Sequence, residues 1–92
     1  MTTQFKGQSI IITGAGKGIG RACAIEMANR GAKVVAMART QADLDSLTQE
    51  TGCTSINVDL LDNDAARTAM KGAGTCDFLI NCAGTNVLES VL

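Results

Sequence analysis

The 92 residues of this chain suffice for one compact unit or for half of a larger one, and leave no room for a second core. An apolar fraction of 46% beside 18% charged residues belongs to a chain that buries a core, which excludes a disordered or acidic solvating segment. Eight Lys and Arg against nine Asp and Glu leave a net charge of -1, so no overall field draws in nucleic acid or an anionic membrane, and any anion site must be local.

The amino-terminal stretch MTTQFKGQSIIITG carries a single isoleucine run, too short for a signal-peptide core or a membrane span, so the expected location is the cytoplasm. That run, Ile10, Ile11 and Ile12, predicts a first strand over 9–13 that is covered on both faces. A glycine-dense turn follows, and then a helix over 18–30. At about 100° per residue this helix puts Ile19, Gly20, Cys23, Ala24, Met27 and Ala28 on one face and Arg21, Glu26, Asn29 and Arg30 on the other. Gly31 suits its carboxyl-terminal stop. Val34, Val35, Ala36 and Met37 make a second buried strand over 33–38. Thr40 with Asp43 three places on has the form of a capping box, opening a second helix that turns Leu44 and Leu47 inward and ends at Gly52.

In residues 54–58, Ile56 and Val58 alternate with Ser55 and Asn57, as in a half-exposed edge strand. A third helix over 63–71 gathers Ala65, Ala66, Ala69 and Met70 on one side, and Phe78, Leu79 and Ile80 make a fourth strand over 77–81. The final stretch, TNVLESVL, reads as a loop leading into a further element. Strand and helix alternate throughout. With right-handed crossovers the expected fold is α/β, the amino-terminal half of a Rossmann-type doubly wound parallel sheet in the order 3-2-1-4, with residues 1–92 as a partial domain.

The chain holds no His and no Tyr, which excludes a Ser-His-Asp hydrolase site, a histidine-held metal and a tyrosine acid within these residues. Cys23, Cys53, Cys76 and Cys82 form no C-x-x-C pair and read as reduced, buried small hydrophobes, so no metal site is expected.

Chemistry is concentrated in the turn Thr13-Gly14-Ala15-Gly16-Lys17-Gly18-Ile19-Gly20. Glycines between a strand and a helix let the backbone approach a phosphate, and the helix amino terminus offers unspent N–H groups and partial positive charge. The G-x-G-x-x-G spacing fails because Ile19 and Arg21 stand where its last glycine would, and the Walker A spacing fails because no Ser or Thr follows Lys17. The spacing that does match is T-G-x-x-x-G-x-G, with Thr13, Gly14, Gly18 and Gly20 in place. It resembles the nucleotide-binding turn of the short-chain dehydrogenase/reductase family. Asn81-Cys82-Ala83-Gly84 is similar to the N-N-A-G segment of that family, with Cys82 replacing the second asparagine, and Asp59-Leu60 is similar to its adenine-contacting pair. All three segments fall at expected carboxyl ends of parallel strands, where open α/β sheets bind ligands.

An NAD-preferring dinucleotide fold carries an acidic residue at the end of its second strand. Here that place is Ala38, followed by Arg39 and Thr40, while Lys17 stands in the glycine turn. Two cations and no repelling carboxylate suit the 2′-phosphate of NADP(H), and the resemblance implies the same, because NADP-preferring members carry basic residues at these two places. The expected cofactor-binding residues are therefore Gly14, Lys17, Gly18, Ile19, Gly20, Arg39, Thr40, Asp59, Leu60, Asn81, Ala83 and Gly84. The segments TGAGKGIGR and RTQADLDSL further resemble carbonyl-reducing members of the family, which implies NADPH-linked reduction of a small carbonyl or sugar-type substrate by a homo-oligomeric, tetrameric parent. The catalytic Ser, Tyr and Lys of the family find no match here. The alternative is a catalytically inactive nucleotide-binding module or a truncated product.

Overall fold

A computed structural model describes residues 6–74 and 76–82. Seven elements alternate along it: β1 (Ser9–Thr13), α1 (Gly18–Asn29), β2 (Lys33–Ala38), α2 (Gln41–Thr51), β3 (Thr54–Asn57), α3 (Asn63–Ala73) and β4 (Phe78–Asn81). The strands form one parallel sheet in the order β3-β2-β1-β4. In register, Ile11 lies beside Val35 on one side and Leu79 on the other, and Met37 beside Ile56. Residues 83–92, which include Ala83, Gly84 and the expected loop, lie outside the described residues.

The unbroken apolar runs of β1 and β2 have a direct cause. Side chains alternate across a strand, so a strand covered on both faces needs apolar residues at every position. Ile10, Ile12, Val34 and Ala36 point to the face carrying α1 and α2, where they pack with Ala24, Leu44 and Leu47. Ile11 and Met37 point to the opposite face and pack with Val58, Leu60, Ala66 and Ala69 around α3. Each fully buried Ile or Leu contributes about 1.5–3 kcal/mol, so these two clusters hold the sheet between its helices. β3 is one edge, as its alternation implies, and β4 is the other edge of the described sheet, with Phe78 45% and Leu79 38% exposed. Among the described residues no helix is long and apolar enough to cross a membrane.

Several local expectations need correction. Ile19 is 77% exposed instead of packed, because α1 meets the sheet along the line of Gly20 and Ala24, which rotates Ile19 off the contact. Arg21 is not on the wet face: its guanidinium donates to the Asp43 carbonyl at 3.4 Å and to Ser46 Oγ at 3.1 Å and stands 3.9 Å from Glu50, tying α1 to α2. Thr40 does occupy the N-cap position of α2, yet its side chain makes no capping hydrogen bond, so the capping box does not form. The cap that does form is Asp62, whose Oδ1 accepts from Ala65 N at 3.1 Å and starts α3. Of the cysteines only Cys53 is buried; Cys23 and Cys82 are half-buried and Cys76, in the connection before β4, is exposed.

Candidate nucleotide-binding site

The turn after β1 is held from three sides. Thr13, fully buried, donates its hydroxyl to Asn81 Oδ1 at 3.0 Å, and the Thr13 carbonyl accepts from Cys82 N at 3.1 Å, which binds the turn to the end of β4. Ala15 N donates to the Met37 carbonyl at 3.1 Å, binding it to β2. From the third side comes α1, which approaches so closely that a Cβ on Gly20 would lie 2.7 Å from the Gly14 carbonyl carbon. Gly18 begins α1 at φ +58°, a left-handed conformation that side chains resist. Lys17, in the N-cap position, offers no side-chain cap to the first turn of α1, so no side chain consumes its leading N–H groups.

A cleft of about 390 Å³ opens beside this turn at the carboxyl ends of β1, β2 and β3. It brings together Gly14, Lys17, Arg39, Thr40, Asp59 and Leu60 of the expected residues. Gly18, Ile19, Gly20 and Asn81 do not line it; Gly18 and Gly20 shape the turn and Asn81 receives the Thr13 hydroxyl. Arg39 is exposed and makes no hydrogen bond or ion pair among the described residues. Leu60 is 6% exposed, its side chain committed to the α3-side core, so it supplies floor rather than wall. A second cleft of about 410 Å³ at the opposite strand ends, beside Ala28 and Gly52, has Lys33 as its one charged lining residue.

Two lining residues escape a reading by sequence pattern. Leu61, 67% exposed, is the apolar side chain at the cleft mouth, brought there by a turn in which Asp59 Oδ1 accepts from Leu61 N at 3.0 Å. Asp43 sits in the first turn of α2 with a carboxylate oxygen 4.0 Å from Lys17 Nζ. The freedom from carboxylates expected at Ala38 therefore holds for that position but not for the cleft. A capping-box reading hides Asp43, since it assigns the carboxylate to the helix backbone. Outside the cleft, burial and the neighbouring Cys23 push the Cys82 thiol up.

These features fit a dinucleotide. A cradle that a Cβ would fill and an uncapped helix start suit a diphosphate, and Lys17, Arg39 and Thr40 suit an anion at the adenosine end. A nicotinamide dinucleotide supplies hydride chemistry when bound. Among the described residues no group of three or more metal-ligating side chains comes together.

A parallel sheet wound with helices on both faces, with a glycine-cradled cleft at its strand ends, defines a Rossmann-type α/β protein. The sequence profile of the family described as short chain dehydrogenase matches residues 8–91, and the chain belongs to that family. It is 44% identical to an L-xylulose reductase of Bos taurus over 93 residues, covering 100% of this chain and 38% of that protein. It is 42% identical to carbonyl reductase [NADPH] 2 of Sus scrofa, again over 100% of this chain and 38% of the relative. The solved structure of L-sorbose reductase from Gluconobacter frateurii, complexed with NADPH and L-sorbose, superposes with a TM-score of 0.77 at 29% identity, covering 92% of this chain and 36% of that one. The chain thus spans a little over a third of the length of these relatives.

Proposed function

We propose that this chain is the NADP(H)-binding part of a short-chain oxidoreductase that reduces a small carbonyl or sugar-type substrate with NADPH. The observation that carries the proposal is the convergence of Lys17, Arg39 and Thr40 on one cleft beside the glycine turn, with the small Ala38 at the end of β2. A 2′-phosphate held by a guanidinium gains a charge-assisted, bidentate contact of about 1.5–3 kcal/mol, which is a ten- to hundredfold preference over the unphosphorylated cofactor. Gly14, Gly18, Ile19 and Gly20 serve the diphosphate through backbone N–H groups. Asp59, Leu60 and Asn81 complete the cofactor set at the ends of β3 and β4, together with Ala83 and Gly84, which follow in sequence. The relatives support the substrate class, since those matched reduce L-xylulose or carbonyl compounds by name.

The test is a fluorescence titration of the full chain with NADPH and NADH. Arg39→Ala is expected to weaken NADPH binding at least tenfold and NADH binding less than threefold. Equal losses for the two cofactors would overturn the assignment of Arg39 and, with it, the preference for NADP(H).

A further inference from the structure

We infer that Asp43 is a built-in counter-ion of the 2′-phosphate subsite, a specificity-determining carboxylate that the cofactor phosphate must displace from Lys17. The inference rests on the nucleotide reading proposed above. Its observations are separate from those that carry that reading. Four charged side chains line the cleft: Lys17, Arg39, Asp43 and Asp59. They cancel. Asp59 is engaged with the Leu61 backbone, so Asp43 is the carboxylate that faces the cations.

The pair is unequal in freedom. The Lys17 side chain is 81% exposed, whereas that of Asp43 is 27% exposed. Asp43 is wedged: a Cβ on Gly16 would lie 3.1 Å from the Asp43 Cβ and 3.3 Å from its Oδ2, and Arg21 grips the Asp43 carbonyl from α1. Absence of a side chain at position 16 is what allows the first turn of α2 to press this carboxylate against the glycine turn. When a 2′-phosphate enters between Lys17 and Arg39, the freer Lys17 swings to meet it while the more enclosed Asp43 keeps its place against the glycine turn. Its negative charge then remains beside the incoming phosphate and opposes it. NADH carries no such phosphate and is not opposed. Asp43 therefore lowers the preference for the phosphorylated cofactor below what Lys17 and Arg39 alone would give, and holds Lys17 over the cleft until a phosphate competes for it.

Two charges about 4 Å apart in a water-like surrounding interact by an amount equivalent to about fivefold in a binding constant. Asp43→Asn keeps the shape of the side chain and removes the charge. Fluorescence and calorimetric titrations of the full chain with NADPH and NADH, for the parent and for Asp43→Asn and Asp43→Ala, read the effect. Both variants are expected to bind NADPH about fivefold tighter at low salt with NADH affinity changed less than twofold. At about 1 M salt, where screening acts within about 3 Å, the gain falls below twofold. Asp43 also lies in the first turn of α2, where an acid supports the helix dipole. A residue with that role alone would lower stability without moving the NADPH-to-NADH ratio, and an unchanged or reduced ratio in both variants would overturn the inference. If the parent favours NADPH and the ratio does not rise, this inference alone fails; if the parent does not favour NADPH, the nucleotide reading fails and takes this one with it.

Discussion

The close approach of Gly20 to Gly14 supplies a test in which one chemical change has opposite signs at two places. Gly20 and Gly72 both lie within helices, α1 and α3. In a helix the exchange of glycine for alanine is intrinsically favourable by about 0.5–1 kcal/mol. At Gly72 a Cβ meets nothing within 4 Å, so Gly72→Ala should keep the lower part of that gain, being close to the helix end, and raise the melting temperature by about 2–4 °C. At Gly20 the Cβ would fall inside the envelope of the Gly14 carbonyl oxygen, 2.7 Å from the Gly14 carbon and 3.1 Å from the Cys82 Cβ. Ordinary carbon contacts lie at about 3.5–4.0 Å, so α1 must retreat by close to an ångström from a backbone that cannot yield like a side chain. Overpacking of this kind costs about 3 kcal/mol or more, and after the helical gain a net loss of about 2 kcal/mol remains. For a chain of this size that lowers the melting temperature by about 8–16 °C. Thermal unfolding followed by circular dichroism reads both variants. A Gly20→Ala chain that melts within 2 °C of the parent would refute the packing of α1 on the turn.

Two further outcomes concern stability and reactivity. Asp62→Ala removes the only side-chain cap formed by α1, α2 or α3 and should cost about 1 kcal/mol, or about 4–8 °C in melting temperature, whereas Thr40→Ala should stay within about 0.5 kcal/mol because Thr40 makes no capping bond; equal losses would contradict these cap assignments. Alkylation at neutral pH, followed by site-resolved mass spectrometry, should modify exposed Cys76 well before Cys82, whose thiol is held protonated by burial and by Cys23. Because the folded chain raises the affinity of Cys82 for its proton, its contribution to stability is complete below the range where a free thiol titrates and is lost as pH climbs through the raised value. Comparable labelling of Cys76 and Cys82 at neutral pH would count against that burial.

The fold is legible because its signals are redundant. Contiguous apolar runs in β1 and β2, alternation in β3, and stops at Gly31 and Gly52 all specify the same element order, and right-handed crossovers then leave one strand order. The packed faces of α2 and α3 are equally readable from their period, with Leu44 and Leu47 and with Ala66 and Ala69 buried. The errors fall where a residue answers to a neighbour distant in sequence. Ile19 belongs by period to the packed face, and only the rotation set by Gly20 against Gly14 turns it outward. Arg21 has the look of a solvated charge until α2 is laid beside α1. Thr40 and Asp43 satisfy the spacing of a capping box, and the Lys17 that faces the Asp43 carboxylate, 26 positions earlier, is invisible to a window of four residues.

The same distinction separates the two ends of the candidate site. At the turn, recognition is prepaid: Gly20 is packed on Gly14, Thr13 is bonded to Asn81 and Cys82, and Ala15 to Met37, so a diphosphate would meet a backbone already in place. At the cation end Arg39 has no partner among the described residues and Lys17 has only its 4.0 Å pairing with Asp43, so each must surrender rotamer freedom worth about 0.5–1.5 kcal/mol when it closes on a phosphate. That cost is of the same order as one charge-assisted contact. Affinity for a dinucleotide should therefore come chiefly from the glycine turn, while discrimination for the 2′-phosphate is a small difference among exposed charges that salt erodes. A single carboxylate such as Asp43 matters in that balance because the terms it opposes are themselves only a few kcal/mol.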